Sequence, residues 1–261
     1  MNPDFPKAKV PLTPLLGDHN KKKQPAYSIP SILDIKNTRL TTSGRAAIAL
    51  ALNHSKIQEN DQVLIPSYHC EAMVAPAKWL DAKVIFYKIQ RDTSPDITDI
   101  IEKITPKTKV LIVTHYFGFL QNLEKLRTLC DQHKIILIED CAHAFFGQNH
   151  NHDIGKTGDY SIGSSMKFLP LYEGGVLCSE NHNLNNLSLA QPNLSFQIKS
   201  LINILEKSIS YKRLGALGQI IKTVFSIKNI LWTSIKKTQG NHVNKIGPNS
   251  SDGGFGLDPE W

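Results

Sequence analysis

The sequence runs to 261 residues, 41% of them apolar and 20% charged, a globular balance long enough for one large domain or two small ones. Its longest apolar runs, Val110-Leu111-Ile112-Val113 and Ile135-Ile136-Leu137-Ile138, are strand-length and exclude a membrane-spanning helix, and the Pro-broken N-terminus excludes a secretory signal, so a cytoplasmic location is expected. The formal charge is +7, with nine Lys/Arg against four Asp/Glu from residue 181 onward; a mildly basic solvated face explains this without a nucleic-acid partner.

In chain order, apolar runs and helical periodicity alternate between residues 44 and 180, which predicts βαβ units, an α/β class and a mainly parallel sheet. Ala46 to Leu52 reads as a helix behind Ser43-Gly44, Gln62 to Ile65 as a strand ended by Pro66, and Ala72 to Leu80 as a helix. Lys83 to Tyr87 is the next strand, and Asp96 begins a short helix that closes at Thr105-Pro106. A strand at Lys109 to Thr114 precedes a helix from Leu123 to His133 and a very apolar strand from Lys134 to Ile138, which Glu139 and Asp140 are expected to terminate. Val176 to Cys178 reads as a further strand, and Phe196 to Tyr211 and Leu217 to Trp232 as amphipathic segments. The expected divisions are an N-terminal arm (1–37), a large domain (38–182) and a helical extension (183–261) that opens an incomplete further domain, since the chain stops in loop chemistry.

In an open parallel sheet, ligands bind beyond the carboxyl ends of the strands, so the residues just after each run are placed for chemistry: Pro66-Ser67-Tyr68-His69, His115-Tyr116 and Asp140. Three constellations stand out. Thr41-Thr42-Ser43-Gly44-Arg45 leads into a helix and suits an anion such as phosphate, or merely caps the helix. Asp140 leaves a buried strand with His143 three residues on; it could hold a pyridinium or a metal, or cap the following turn. Lys167 sits in a small-residue, apolar loop ahead of Glu173-Gly174-Gly175, where lost solvation would lower its pKa and expose a nucleophilic amine, or it is an ordinary solvated lysine. Cys70, Cys130, Cys141 and Cys178 form no C-x-x-C pair and the ten histidines no H-E-x-x-H, so neither a metal centre nor a disulfide framework is expected.

Taken together and in order, these motifs resemble those of the DegT/StrS-type sugar aminotransferases, pyridoxal 5′-phosphate (PLP) enzymes of aspartate-aminotransferase fold type I; the resemblance covers roughly residues 38 to 180. It implies that Lys167 condenses with the cofactor aldehyde and that Asp140 pairs with the pyridinium nitrogen. It also implies that His143 stands beside the phenolic oxygen, and that Ser43, Gly44 and Arg45, with Ser164 or Ser165, hold the phosphate. Cys70 stands where the family has a ring-stacking aromatic, so either Tyr68 or His69 would supply that face. The implied activity moves an amino group from an amino acid donor to a keto-sugar, nucleotide-linked, in polysaccharide or secondary-metabolite synthesis, within a homodimer. The alternatives are a non-catalytic binding or scaffold subunit and, through residues 196 to 237, attachment to an anionic membrane surface.

Overall fold

The computed structural model describes residues 29–149, 152–171, 173–189, 194–215 and Gly218. The chain divides into two compact units, residues 24–189 and residues 1–23 together with 190–261. In the first unit, the elements are β1 (Asn37–Thr41), α1 (Gly44–His54), β2 (Gln62–Pro66), α2 (Glu71–Trp79), β3 (Lys83–Tyr87), α3 (Ile97–Lys103), β4 (Thr108–Thr114), α4 (Glu124–His133), β5 (Ile136–Asp140), β6 (Gln148–Asn149), β7 (His152–Asp153), β8 (Tyr160–Gly163) and β9 (Gly175–Ser179). Single 3-10 turns lie at Ile32–Asp34, Tyr116–Gly118 and Ser165–Lys167. The described part of the second unit holds α5 (Leu194–Ser210).

One seven-stranded sheet has the order β1-β9-β8-β5-β4-β2-β3. The five strands from β8 to β3 run parallel, and β9 is antiparallel to both β8 and β1. A small antiparallel ribbon, β6-β7, stands apart from it. The α/β, mainly parallel class expected from the sequence is therefore the observed one.

Alternation along the strands builds three layers, because successive side chains point to opposite faces. Val63, Ile65, Val110, Ile112 and Ile138 join a core with Ala47, Ala51, Leu52 of α1 and Met73, Val74, Ala77 of α2. Their neighbours Leu64, Leu111, Val113 and Leu137 join the opposite core with Ile100 of α3 and Leu126 and Cys130 of α4. Both faces are covered, which is why these strands read as unbroken apolar runs.

Two expectations need correction. The fifth strand starts and ends two residues later than its apolar run suggested. Lys134 adopts a left-handed conformation (φ 56°) that caps α4, and Glu139 and Asp140 remain inside β5, paired with Val113 and Thr114 on one side and Ser161 and Ile162 on the other. The edge strand β1 and the strand β8 were not expected at all: each is short and mixes Thr, Arg, Ser or Gly with its apolar residues. The expected segment Phe196 to Tyr211 is α5, whereas Leu217 to Trp232 lies outside the described residues apart from Gly218.

Candidate active site

The candidate site gathers at the carboxyl ends of β2, β4, β5 and β8. Asp140, the last residue of β5, is 4% exposed. It has the parity of Ile138, so it belongs to the face that carries α1. Its Oδ1 accepts the Ala142 N–H at 2.9 Å, so it does cap the following turn, and Thr114 Oγ1 lies 3.4 Å from Oδ2. Burial pushes its carboxyl above the ordinary carboxylate range, while the Ala142 N–H and the nearby Lys167, His143 and His115 pull it back.

Lys167 ends the 3-10 turn that follows β8. The expectation that it would lose solvation is corrected: the residue is exposed, because a single turn on the rim of the crevice buries only its Ser165 end. Its ammonium is nonetheless near enough to favour ionisation of Asp140 and to oppose protonation of His143. The imidazole of His143 is held below its ordinary value by burial first, then by Lys167, with Asp140 opposing. Its Nδ1 is buried and has no hydrogen-bond partner among the described residues.

Ser43 is the N-cap of α1, its hydroxyl accepting the Ala46 N–H at 3.2 Å. Arg45 lies half-buried in the first turn. A Cβ placed on Gly44 would lie 3.5 Å from Ser164 Cβ, so the start of α1 and Ser164 face each other. Ser165 turns elsewhere: a Cβ on Gly174 would meet its Oγ at 2.3 Å. Ser164, rather than Ser165, thus stands beside the helix N-terminus, where oriented N–H groups favour an anion.

The Glu173-Gly174-Gly175 motif has a direct physical role. A Cβ on Gly175 would come within 2.2 Å of the Ser43 backbone carbon and oxygen, so β9 can back onto the start of α1 only with glycine there. Gly174 donates its N–H to Thr42 O at 2.9 Å and accepts the Met166 N–H at 3.3 Å. One residue thereby links the cap of α1 to the turn that bears Lys167.

Of the two candidate stacking residues, Tyr68 joins the site and His69 does not. The Tyr68 ring lies 5.5 Å from Tyr116, whose hydroxyl, pushed up to about 12 chiefly by burial and also by Asp140, donates to the Tyr68 carbonyl. His69 instead stacks on Phe86 of the edge strand β3, at 4.4 Å and 5°. Phe117, a non-glycine residue in the left-handed region (φ 55°), lies against His143 with ring centroids 5.7 Å apart and an interplanar angle of 19°. Such backbone strain concentrates at functional crevices.

Sequence reasoning passed over Glu139. It faces away from Asp140 and is 2% exposed. Its Oε1 accepts the Thr157 and Gly158 N–H groups at 2.6 and 2.5 Å, and its Oε2 the Gly155 N–H at 3.2 Å and His115 Nε2–H at 3.0 Å. The Gln121 N–H donates to His115 Nδ1, which fixes the ring hydrogen on Nε2. One ligand atom each of His115, Glu139 and Cys141 lies within 4.8 Å of the other two, as a cation would require. The carboxylate oxygens are already filled by donors and burial pushes the Cys141 thiol up, so the cluster is a satisfied hydrogen-bond centre. The available signal was an acidic residue within an otherwise apolar strand.

The model of the DegT/DnrJ/EryC1/StrS aminotransferase family matches residues 32–203. The chain belongs to that family. Among curated proteins, a GDP-perosamine synthase of Vibrio cholerae is 30% identical over 152 residues, 57% of this chain and 41% of that protein. An L-glutamine:2-deoxy-scyllo-inosose aminotransferase of Streptomyces kanamyceticus is 33% identical over 139 residues, 52% of this chain and 32% of its own length. Among solved structures, S. venezuelae DesV superposes with a TM-score of 0.53 at 25% identity, over 57% of this chain and 42% of DesV. The aminotransferase from Psychrobacter cryohalolentis gives 0.54 at 23%, over 57% and 39%. The two solved structures share the fold, and the chain spans only 41% and 32% of the lengths of the two curated relatives.

Proposed function

We propose that this chain carries the PLP-binding site of an aminotransferase that moves an amino group from an amino acid donor, such as glutamate, to a keto-sugar. The observation that carries the reading is the convergence of Asp140 and Lys167 beside a helix N-terminus. A buried carboxyl, a reachable amine and an anion-accepting turn are the three fixed points that pyridoxal phosphate needs.

The residues fit the cofactor on the structure's own terms. Asp140 is a buried acid whose ionised form is underpaired, as a partner for a pyridinium N–H should be. His143 Nδ1 is an orphaned buried atom on the same side, suited to the phenolic oxygen. The start of α1 with Ser43, Gly44 and Arg45, together with Ser164, is the candidate phosphate cradle, and Tyr68 the candidate ring-facing aromatic.

When bound, pyridoxal phosphate supplies an electron sink that makes the α-hydrogen of the amino donor acidic. Asp140 holds the hydrogen on the ring nitrogen and thereby keeps that sink effective; Thr114 and the Ala142 N–H orient the carboxylate. Lys167 Nζ moves the proton between the donor's α-carbon and the carbon that receives the hydrogen. His143, neutral near pH 7, holds its place without adding a second cation beside Lys167.

The nucleotide-linked character of the sugar, homodimeric assembly and a cytoplasmic setting belong to the same proposal; they rest on the family and on relatives such as the GDP-perosamine synthases. Among the described residues, no helix is long and apolar enough to cross a membrane. The test is to load the protein with PLP, reduce with borohydride and map the modified peptide. Modification at Lys167 is expected, as is a half-reaction of a separate, unreduced PLP-loaded sample with L-glutamate or L-glutamine; a protein that takes up no PLP overturns the reading.

A further inference from the structure

Helix α5 carries a surface that the amino-transfer site does not use. Leu194, Ile198 and Leu201 fall at i, i+4 and i+7 and are 71%, 48% and 53% exposed, so the first half of the helix presents an apolar stripe to water. Lys199, Asn203 and Lys207, spaced by four, form the opposite face. The first half of the helix thus carries an uncovered apolar stripe, while Leu205 and Ile209 further along the same side are half-buried.

Charge indicates what covers it. From Leu194 to Gly215 the chain holds Lys199, Lys207, Lys212 and Arg213 against Glu206 alone, and from Lys207 to Ser251 the sequence contains no Asp or Glu. A second copy of the same helix would bring like charges together. A negatively charged lipid surface takes up both features, the apolar residues entering the headgroup and acyl boundary and the cations meeting the anionic headgroups. No helix among the described residues is long and apolar enough to cross the bilayer, so α5 would lie on it.

We propose that α5 docks this protein onto an anionic lipid bilayer through the Leu194–Ile198–Leu201 stripe, with Lys207, Lys212 and Arg213 adding electrostatic attraction. The inference is independent of the amino-transfer reading, since none of these residues belongs to that site.

Co-sedimentation of the full chain with phosphatidylglycerol-containing vesicles and with pure phosphatidylcholine vesicles, at low and high salt, tests it. Binding is expected to the anionic vesicles, at least about tenfold weaker to the neutral ones, and reduced by salt. The double variant I198S/L201S should bind at least about tenfold more weakly, with an unchanged circular-dichroism spectrum and melting temperature as the control for folding. A second variant, K207E/K212E, leaves the stripe intact and should lose most of the salt-sensitive part. Equal affinity for both vesicle types overturns the proposal, as does wild-type binding by I198S/L201S. So does a change in oligomeric mass on light scattering with vesicle binding intact, which would assign the stripe to a second copy.

Discussion

At Asp140 two demands conflict: burial disfavours its charge, while the proposed role requires it. The sign of the pH dependence follows. A carboxyl whose folded pKa is raised contributes stability that is full below its ordinary value and is lost as pH climbs through the raised one. Asp140→Asn is therefore expected to raise the melting temperature of cofactor-free protein at neutral pH, while weakening PLP binding at least about a hundredfold; thermal denaturation and absorbance titration check the two halves. His143 works in the other direction. Its lowered pKa means that stability falls as pH drops below the ordinary histidine value, and His143→Gln should flatten that acid limb in a stability-versus-pH series. At Glu139, Ala should cost at least about 3 kcal/mol in denaturant unfolding, because it orphans four donors, three of them buried. Gln should not rescue it, since an amide NH2 must then face two of those donors and His115 cannot accept without losing its Gln121 bond. Asp140 and Lys167 were legible in the sequence because each breaks its surroundings, an acid after an apolar run and a lysine among small residues. The role of Glu139 was not, because its partners are backbone N–H groups of residues 155–158 and no side-chain pattern announces them.

Among the elements, the start of α1 is built from two directions, by its own Ser43 cap and by the glycines that open β9. Gly175→Ala should damage cofactor binding and stability more than Gly174→Ala. The first collides with the backbone of Ser43 and Gly44, whereas the second meets the Ser165 hydroxyl, which can rotate away. Comparing PLP affinity and melting temperature of the two variants checks the order. The same geometry explains why Glu173-Gly174-Gly175 was readable as a motif but not as a device: the close approach that demands glycine comes from residues more than a hundred positions earlier. The parallel strands β2, β4 and β5 were legible because burial on both faces writes an unbroken apolar run, and the edge strand β3 because Val84, Ile85, Phe86 and Tyr87 are strong strand formers even where exposed. Strands β1 and β8 were not; β8 makes up its polar Ser161 and small Gly163 by packing between β5 and β9, a tertiary context that a short window does not contain.

For the molecule as a whole, the site and the proposed lipid-facing helix fall in different units, the first within residues 24–189 and the second within the unit that includes 190–261. Ending the chain after Leu189 is expected to retain borohydride trapping at Lys167 and to abolish vesicle binding, and a trapping assay alongside co-sedimentation checks both. The class and sheet type were legible from alternation alone, and a change of texture after about residue 180 set the expected boundary at 182/183, a few residues before the division at Leu189/Ala190. The placement of Glu139 and Asp140 on consecutive positions of one strand carries a last consequence. Slipping β5 by a single residue against its neighbours would exchange the two acids, presenting Glu139 toward α1 and thrusting Asp140 among the amides of the 155–158 loop. Misaligned chains would lack the partners that hold either acid, so correct strand alignment during folding and the capacity for chemistry are verified in one event.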